Sequence, residues 1–453
     1  MTTYYSTNRQ VPEVDLADAL LQGQAGDRGL FMPRPIPPLP ARLLARARDL
    51  PYPELAAAIL EPYAPGVFTR DELLEICVGA YDFAVPLERI EDRRYVLRLD
   101  RGPTASFKDF AARFMGRALG RLVRRRGRGL LVLTATSGDT GSAVAHAFLG
   151  VEDIRVVVLF PTREVSDRQR RQMTTLGGNV ATLALDSKFD NCQALVKQAF
   201  ADPDLADLNL TSANSINIGR LLPQSVYYVY AAARLADIEH GERVVFSVPS
   251  GNFGDLMGGL LALHMGLPVA RFVVATNAND EIPRFLETGR YARIEPSRRC
   301  ISNAMNVGHP SNFARVIDLY GGRMDETGVL HERPDLDRMR RDLYGVSIDD
   351  EETRRTIAQT FENHQAVLEP HGAVGWAGLQ RFLGAHPSAR EMTAISLETA
   401  HPAKFPDEVR ALTGVDPPLP PSLQGLDGRP EYYRELPSDY PAFKDFLIGE
   451  YRP

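Results

Sequence analysis

Residues 129–148 read GLLVLTATSGDTGSAVAHAF. An apolar, β-branched run enters a turn of small residues, and a second apolar series follows at helical spacing. Strand, small-residue turn and helix make half of a βαβ unit. The pattern recurs on both sides. YVLRLD (95–100), VVVLFP (156–161), NVATLALD (179–186), RVVFSVPS (243–250), RFVVATN (271–277) and MTAISLET (392–399) read as strands. SDRQRRQMTTLG (166–177), NCQALVKQAF (191–200) and the end of GNFGDLMGGLLALHMG (251–266) read as helices. LNLTSANS (208–215) is strand into loop, and INIGRLLPQSVYYVYAAARLA (216–236) is one long helical stretch containing Pro223. Strands alternating with helices imply parallel sheets, and parallel sheets hold ligands beyond the carboxyl ends of their strands.

Composition narrows the class. The chain has 453 residues, 44% hydrophobic and 24% charged, and its 36 Gly and 33 Pro follow no period, so it is neither fibrous nor mainly disordered. A net charge of −6, from 52 basic and 58 acidic side chains, argues against nucleic acid as a partner. Cys77, Cys192 and Cys300 are too few and too scattered for a disulfide framework, and neither they nor the nine histidines show metal-ligand spacing. No metal is expected. No signal peptide or membrane-spanning run is visible, so a cytoplasmic protein away from membranes is expected.

Residues 1–95 read as an N-terminal, mainly helical unit. VDLADALLQGQ (14–24) and TRDELLEICVGAY (69–81) have helical spacing, and the Pro-rich RPIPPLPAR (34–42) connects them. The remainder divides into a small α/β domain, 126–240, and a large one, 96–125 with 241–453. Its Pro- and Tyr-rich end reads as a loop-rich tail.

Four segments after strands could carry chemistry. In RGPTASFKDFAARFMG (101–116), Lys108 stands in the first turn of a helix, where its charge opposes the dipole, between Phe107 and Phe110. Desolvation and dipole would depress its basicity, as a Schiff-base lysine requires. The chain has only five lysines, and Lys404, in a loop after Pro402, is the one rival. The small residues of TATSGDTG (134–141) can offer backbone N–H groups to an anion, with hydroxyls from Thr136, Ser137 and Thr140. SVPSGNFGDLMGG (247–259) is a second such turn, where Asn252 and the amides of 251–254 could cradle a phosphate. Neither turn is a dinucleotide fingerprint or a P-loop, and each alone also fits an ordinary capped turn. In SLETAHPAKF (396–405), the Thr399 hydroxyl ends a strand where it could meet a ring nitrogen, while His401 reads as a packed or capping residue. TSANSINIGRLLPQ (211–224) adds side-chain amides and Arg220, a plausible phosphate clamp, with NAMNVGHPSN (303–312) in support.

In chain order, YYSTN (4–8), ALLQGQAGDRGLFMP (19–33), GPTASFKDF, TATSGDTGSA, SANSIN (212–217), SGNFGD (250–255), AMNVGHPSN (304–312), PHGAVGW (370–376) and ETAHPAKF (398–405) cover essentially the whole chain. This series resembles the threonine synthase family, pyridoxal-phosphate enzymes of the tryptophan synthase β-like fold. The N-terminal unit matches its longer subgroup, found in enterobacteria and fungi. The resemblance implies fold type II: two three-layer α/β domains with parallel sheets around a central cleft. It implies pyridoxal 5'-phosphate on Lys108 as a Schiff base. Gly251, Asn252, Phe253, Gly254 and Asp255 would bind the cofactor, chiefly its phosphate, and Thr399 would face the pyridine nitrogen. Ser137, Gly138, Asp139 and Thr140 would bind the substrate carboxylate. Asn214, Ser215, Asn217 and Arg220 would bind the substrate phosphate, joined by Arg163 and Ser166. The implied reaction takes O-phospho-L-homoserine and water to L-threonine and phosphate, in a monomer or homodimer. A related phospholyase or γ/β-replacement enzyme, acting on a phosphorylated or phosphonate amino acid, is the alternative. The chain departs from the family's familiar form at Asn306, where an acidic residue is usual, at His309, and at Ile218-Gly219, where Trp-Ala often precedes the arginine.

Overall fold

The computed structural model describes residues 1–40 and 42–452; Ala41 of the connector and Pro453 lie outside the described residues. Two sheets organise the chain. The larger has six strands in the order Leu343–Ser347, Val269–Thr276, Val244–Pro249, Ala394–Glu398, Arg94–Arg98 and Leu87–Glu91. All its pairings are parallel except the last, which is antiparallel. The smaller has five parallel strands in the order Arg434–Leu436, Val180–Leu185, Ile154–Pro161, Leu130–Ala135 and Leu210–Ser212. The central strands are buried along almost their whole length. That is why their sequences read as continuous apolar runs.

Three expectations need correction. The stretch 216–236 is not one helix: two 3₁₀ turns, Ile218–Arg220 and Leu222–Gln224, precede the helix Ser225–Leu235. Pro223 cannot donate to a helical ladder, so the α-helix starts after it. Arg220 therefore sits in a tight turn rather than one turn into a helix. The C-terminal tail is also more regular than its composition suggests, and it lies apart from the larger sheet. Arg434–Leu436 pairs with the edge of the smaller sheet, and the helix Tyr440–Tyr451 buries Phe443 and Leu447 among that sheet's residues Leu133, Val157 and Leu183. Finally, the edge strands Leu87–Glu91 and Leu343–Ser347 were not apparent in the sequence. The first is half-exposed, with Arg89 open to solvent, and mixes charge with apolar residues.

The N-terminal unit pairs Thr3–Ser6 antiparallel with Phe31–Arg34 and adds four helices, Leu16–Gln22, Leu43–Ala47, Tyr52–Leu60 and Arg70–Ala80. Among the described residues it has no separate core. Its Leu20, Leu55, Tyr63 and Ile76 belong to one cluster with Phe110, Leu119 and Tyr227.

One packing contact positions the site. The 19-residue helix Lys108–Arg126 lies against the helix Asp139–Phe148. They touch where Gly116 meets Ala147; a Cβ on Gly116 would stand 2.6 Å from the Ala147 carbonyl oxygen. One turn further on Gly120 faces Val151, and at the other end Lys108 Nζ is 3.9 Å from Asp139 Oδ2, so the two helices run side by side and bring Lys108 and Asp139 to the same end.

Candidate active site

A cavity of about 110 Å³ lies where the strand ends of both sheets converge. Lys108 opens its helix from one side, with its side chain 14% exposed and its amine 4.6 Å from the centre of the Phe107 ring. The preceding backbone is laced to the end of the strand Ala394–Glu398: Phe107 N–H donates to the Thr399 carbonyl at 2.9 Å, and His401 N–H to that of Ala105 at 3.0 Å. Burial pushes the Lys108 amine to lower basicity, Asp139 opposes this, and the charges of Lys404 and Arg220 reinforce it.

Opposite stands the turn after Val244–Pro249. Phe253 is left-handed at φ 62°, and the helix Gly254–His264 follows. A Cβ on Gly251 would come within 2.8 Å of Met305 Cα, so only glycine fits there. No acceptor among the described residues takes the backbone N–H groups of 251–254. Asp255, one residue on, accepts hydroxyl bonds at Oδ1 from Tyr227 at 2.5 Å and Tyr228 at 2.7 Å. Burial raises its carboxyl to about 6 against the pull of those hydroxyls.

The third wall is the turn before Asp139–Phe148, together with 214–224. Asp139 accepts from Lys404 Nζ at 2.8 Å and from Gln169 Nε2 at 2.9 Å. Burial alone would raise its carboxyl; the charges of Lys404 and Lys108 and these hydrogen bonds hold it well below the usual range. Asn214 Oδ1, Arg220 Nε, Gln224 Oε1 and Asp255 Oδ2 are buried at this cavity with no protein partner among the described residues. Buried polar atoms left orphaned in this way mark a place for a polar ligand. Burial lowers the Arg220 guanidinium to about 10.

Of the residues to which the resemblance gives a cofactor or substrate role, thirteen line this one cavity: Lys108, Ser137, Asp139, Thr140, Asn214, Ser215, Arg220, Gly251, Asn252, Phe253, Gly254, Asp255 and Thr399. Gly138 and Asn217 do not. Gly138, at φ 134°, backs onto the Gln169 side chain and serves the shape of the turn. The Asn217 amide is consumed by backbone: Nδ2 donates to the carbonyls of Leu20 and Ser212, and Oδ1 accepts from Gly219 N–H. Nothing on it remains for a phosphate. Arg163 and Ser166 border a neighbouring open cleft, where Arg163 pairs with Asp186 and Ser166 caps the helix Asp167–Thr174.

Other contributors were not visible in the sequence as site residues. His371 lines the cavity; its Nε2 accepts from Ala304 N–H at 3.0 Å, so its Nδ1 carries the proton toward Glu369 at 2.5 Å. Arg315 is fully buried and ties the 215–216 backbone to Phe31 and Asn312. Lys404, weighed only as a rival to Lys108, is fully buried against Asp139.

Fold and site together define a class. The family model described as pyridoxal-phosphate dependent enzyme matches residues 84–395. Models described as threonine synthase N terminus and threonine synthase, C-terminal, match residues 3–81 and 372–447. The threonine synthase of Haemophilus influenzae is 41% identical over 445 residues, which cover 98% of this chain and 99% of that one. That of Escherichia coli is 38% identical over 446 residues, with the same coverage, 98% and 99%. The crystal structure of a PLP-bound threonine synthase from Brucella melitensis superposes with a TM-score of 0.91 at 34% identity, over all of both chains. The chain belongs to the threonine synthase family.

Proposed function

We propose that this chain converts O-phospho-L-homoserine and water into L-threonine and phosphate, with pyridoxal phosphate attached to Lys108. One observation carries the reading: a lysine of depressed basicity faces, across a single small cavity, a turn of unengaged backbone N–H groups and the strand-end residue Thr399. This donor set fits the cofactor. The N–H groups of 251–254, at a helix start, suit its phosphate, the Thr399 hydroxyl its ring nitrogen, and Lys108 Nζ its aldehyde. The orphaned atoms of Asn214 and Arg220 are left over for the substrate.

When bound, the cofactor supplies delocalisation of the negative charge that develops on substrate carbon. The remaining work belongs to side chains. Lys108 Nζ, displaced by the incoming amine, would take the substrate Cα proton, hand it to the cofactor carbon that bears the substrate nitrogen, and so, neutral again, take a proton from Cβ; burial favours the neutral amine at each turn. Thr399 is uncharged and does not hold a proton on the ring nitrogen. Arg220, with Asn214 and Ser215, receives the phosphate that leaves from Cγ. Ser137, Thr140 and the N–H groups at the start of Asp139–Phe148 receive the substrate carboxylate. Asp139 itself is a carboxylate already occupied by two amines, so its part in that wall is to hold them. We take 126–240, joined by the C-terminal helix, as the domain that closes on 96–125 and 241–430, with 1–95 as the N-terminal unit. Closure excludes water until phosphate has left, and water then adds at Cβ.

The test is product analysis of purified protein with O-phospho-L-homoserine. Equimolar L-threonine and phosphate are expected, with neither from Lys108→Ala. Phosphate with 2-oxobutyrate and no threonine would identify a phospholyase instead.

A further inference from the structure

Lys404 has no part in the steps above, yet its side chain is fully buried beside the cavity, with Nζ 2.8 Å from Asp139 Oδ1. The other oxygen of that carboxylate, Oδ2, is 3.9 Å from Lys108 Nζ. One carboxylate therefore stands between two amines. Its orientation is fixed from both sheets. Gln169 holds Oδ1 from the helix Asp167–Thr174. The turn Pro402–Lys404 follows the strand Ala394–Glu398; the His401 ring accepts its Ala403 N–H at 3.1 Å, and Arg168 donates to the Ala403 carbonyl.

We infer that Lys404 is a positioning residue which neutralises Asp139 and thereby sets how readily Lys108 gives up its proton. This rests on the reading of Lys108 as the base. A lone carboxylate within about 4–6 Å stabilises the charged form of an amine by roughly one to three pH units. Left to itself, Asp139 would hold Lys108 as an ammonium and spoil it as a base. With Lys404 on the opposite oxygen, the carboxylate's field at Lys108 is largely cancelled. The other charged groups facing Lys108 do not substitute for this. Arg220, from the turn Ile218–Arg220, acts in the same direction as Lys404 but ranks below it, and Asp255, from the helix Gly254–His264, acts in the opposite direction. Asp109 and His401 also feel the Lys404 charge, but among the described residues only Asp139 meets both amines.

The test is the pH dependence of Lys108 acetylation in the cofactor-free full chain, labelled with trace acetic anhydride and read by mass spectrometry. The chain has only five lysines, so the Lys108 peptide is readily assigned. Lys404→Met is expected to raise the Lys108 midpoint by about one to three pH units. Asp139→Asn is expected to lower it, and the double variant to return it to the wild-type value. The acid limb of kcat in the holoenzymes should move in the same order. A folded Lys404→Met chain with an unmoved midpoint, or a double variant that keeps the single variant's shift, overturns the inference. If Lys404→Met does not fold, the double variant, which buries no unpaired charge, is compared with Asp139→Asn; equal midpoints in these two also overturn it. Absence of turnover in the wild type would count against the proposed reaction and leave the labelling result intact.

Discussion

Arg315→Lys tests the support of the loop on the phosphate side of the site. The guanidinium donates from Nε to Phe31 O at 3.1 Å, from Nη1 to Ser215 O at 2.9 Å and Asn312 Oδ1 at 2.6 Å, and from Nη2 to Ile216 O at 2.6 Å. Lysine brings a single nitrogen, which cannot span acceptors arrayed around a planar fork. At least two charged hydrogen bonds are lost, at about 1.5–3 kcal/mol each, so the anchoring of 215–216 weakens by about 3–6 kcal/mol. The loss is deepened because burial already brings Arg315 down to about 9. An amine that starts about two pH units lower would be about half neutral there at pH 7. If only about 1.4 kcal/mol of this reaches substrate binding, KM for O-phospho-L-homoserine rises about tenfold. Lys108 lies outside this network, so kcat should fall by a much smaller factor, whereas Asn312, held by Arg315, also donates to the Asn252 carbonyl at 3.0 Å, so the cofactor's affinity should weaken as well. Steady-state kinetics and a spectroscopic titration with pyridoxal phosphate check both. An unchanged KM would refute the claim that Arg315 holds the loop, and a cofactor affinity left at its wild-type value would refute the coupling through Asn312.

Other perturbations have equally definite outcomes. Asp255 is raised to about 6 by burial, from an ordinary 3.8, so the folded chain holds a proton that the unfolded chain has released. Its contribution to stability is complete below about pH 4 and is lost as pH rises through 6. The melting temperature of cofactor-free Asp255→Asn, relative to wild type, should therefore climb between pH 4.5 and about 7 and then level off. Gly372→Ala would place a Cβ 1.5 Å from Glu398 Oε2, immediately before Thr399, and should depress both thermal stability and kcat/KM. Ser166→Ala removes a capping box at an expected cost of about 1 kcal/mol; kcat/KM should stay within about twofold of wild type, because Ser166 lies outside the cavity.

Much of this architecture was legible in the chain because its central strands are buried on both faces and bounded by small-residue turns. The place of Lys108 at the cavity was legible because a cation at a helix start, between aromatic rings, runs against ordinary preference. Asn217 was misread for a physical reason: a loop asparagine looks the same whether its amide meets a ligand or backbone carbonyls. Arg315 was invisible because three of its acceptors are carbonyls, which have no sequence signature, and one lies 284 residues away. The pairing of Lys404 with Asp139 spans 265 residues and joins the two sheets, a relation that no local spacing encodes. The strand Arg434–Leu436 is too short to display an alternation.

Two bonds that shape the 214–220 loop end in the N-terminal unit, Asn217 Nδ2 on the Leu20 carbonyl and Arg315 Nε on that of Phe31. A carbonyl oxygen is the same whatever side chain its residue carries. Substitutions at 20 or 31 that preserve bulk should pass unnoticed by the loop, whereas one residue inserted or deleted between them would displace one acceptor relative to the other. The catalytic chemistry thus imposes a fixed count on residues 21–30 rather than a fixed spelling. Over evolutionary drift this stretch should be free to change its letters while holding its length.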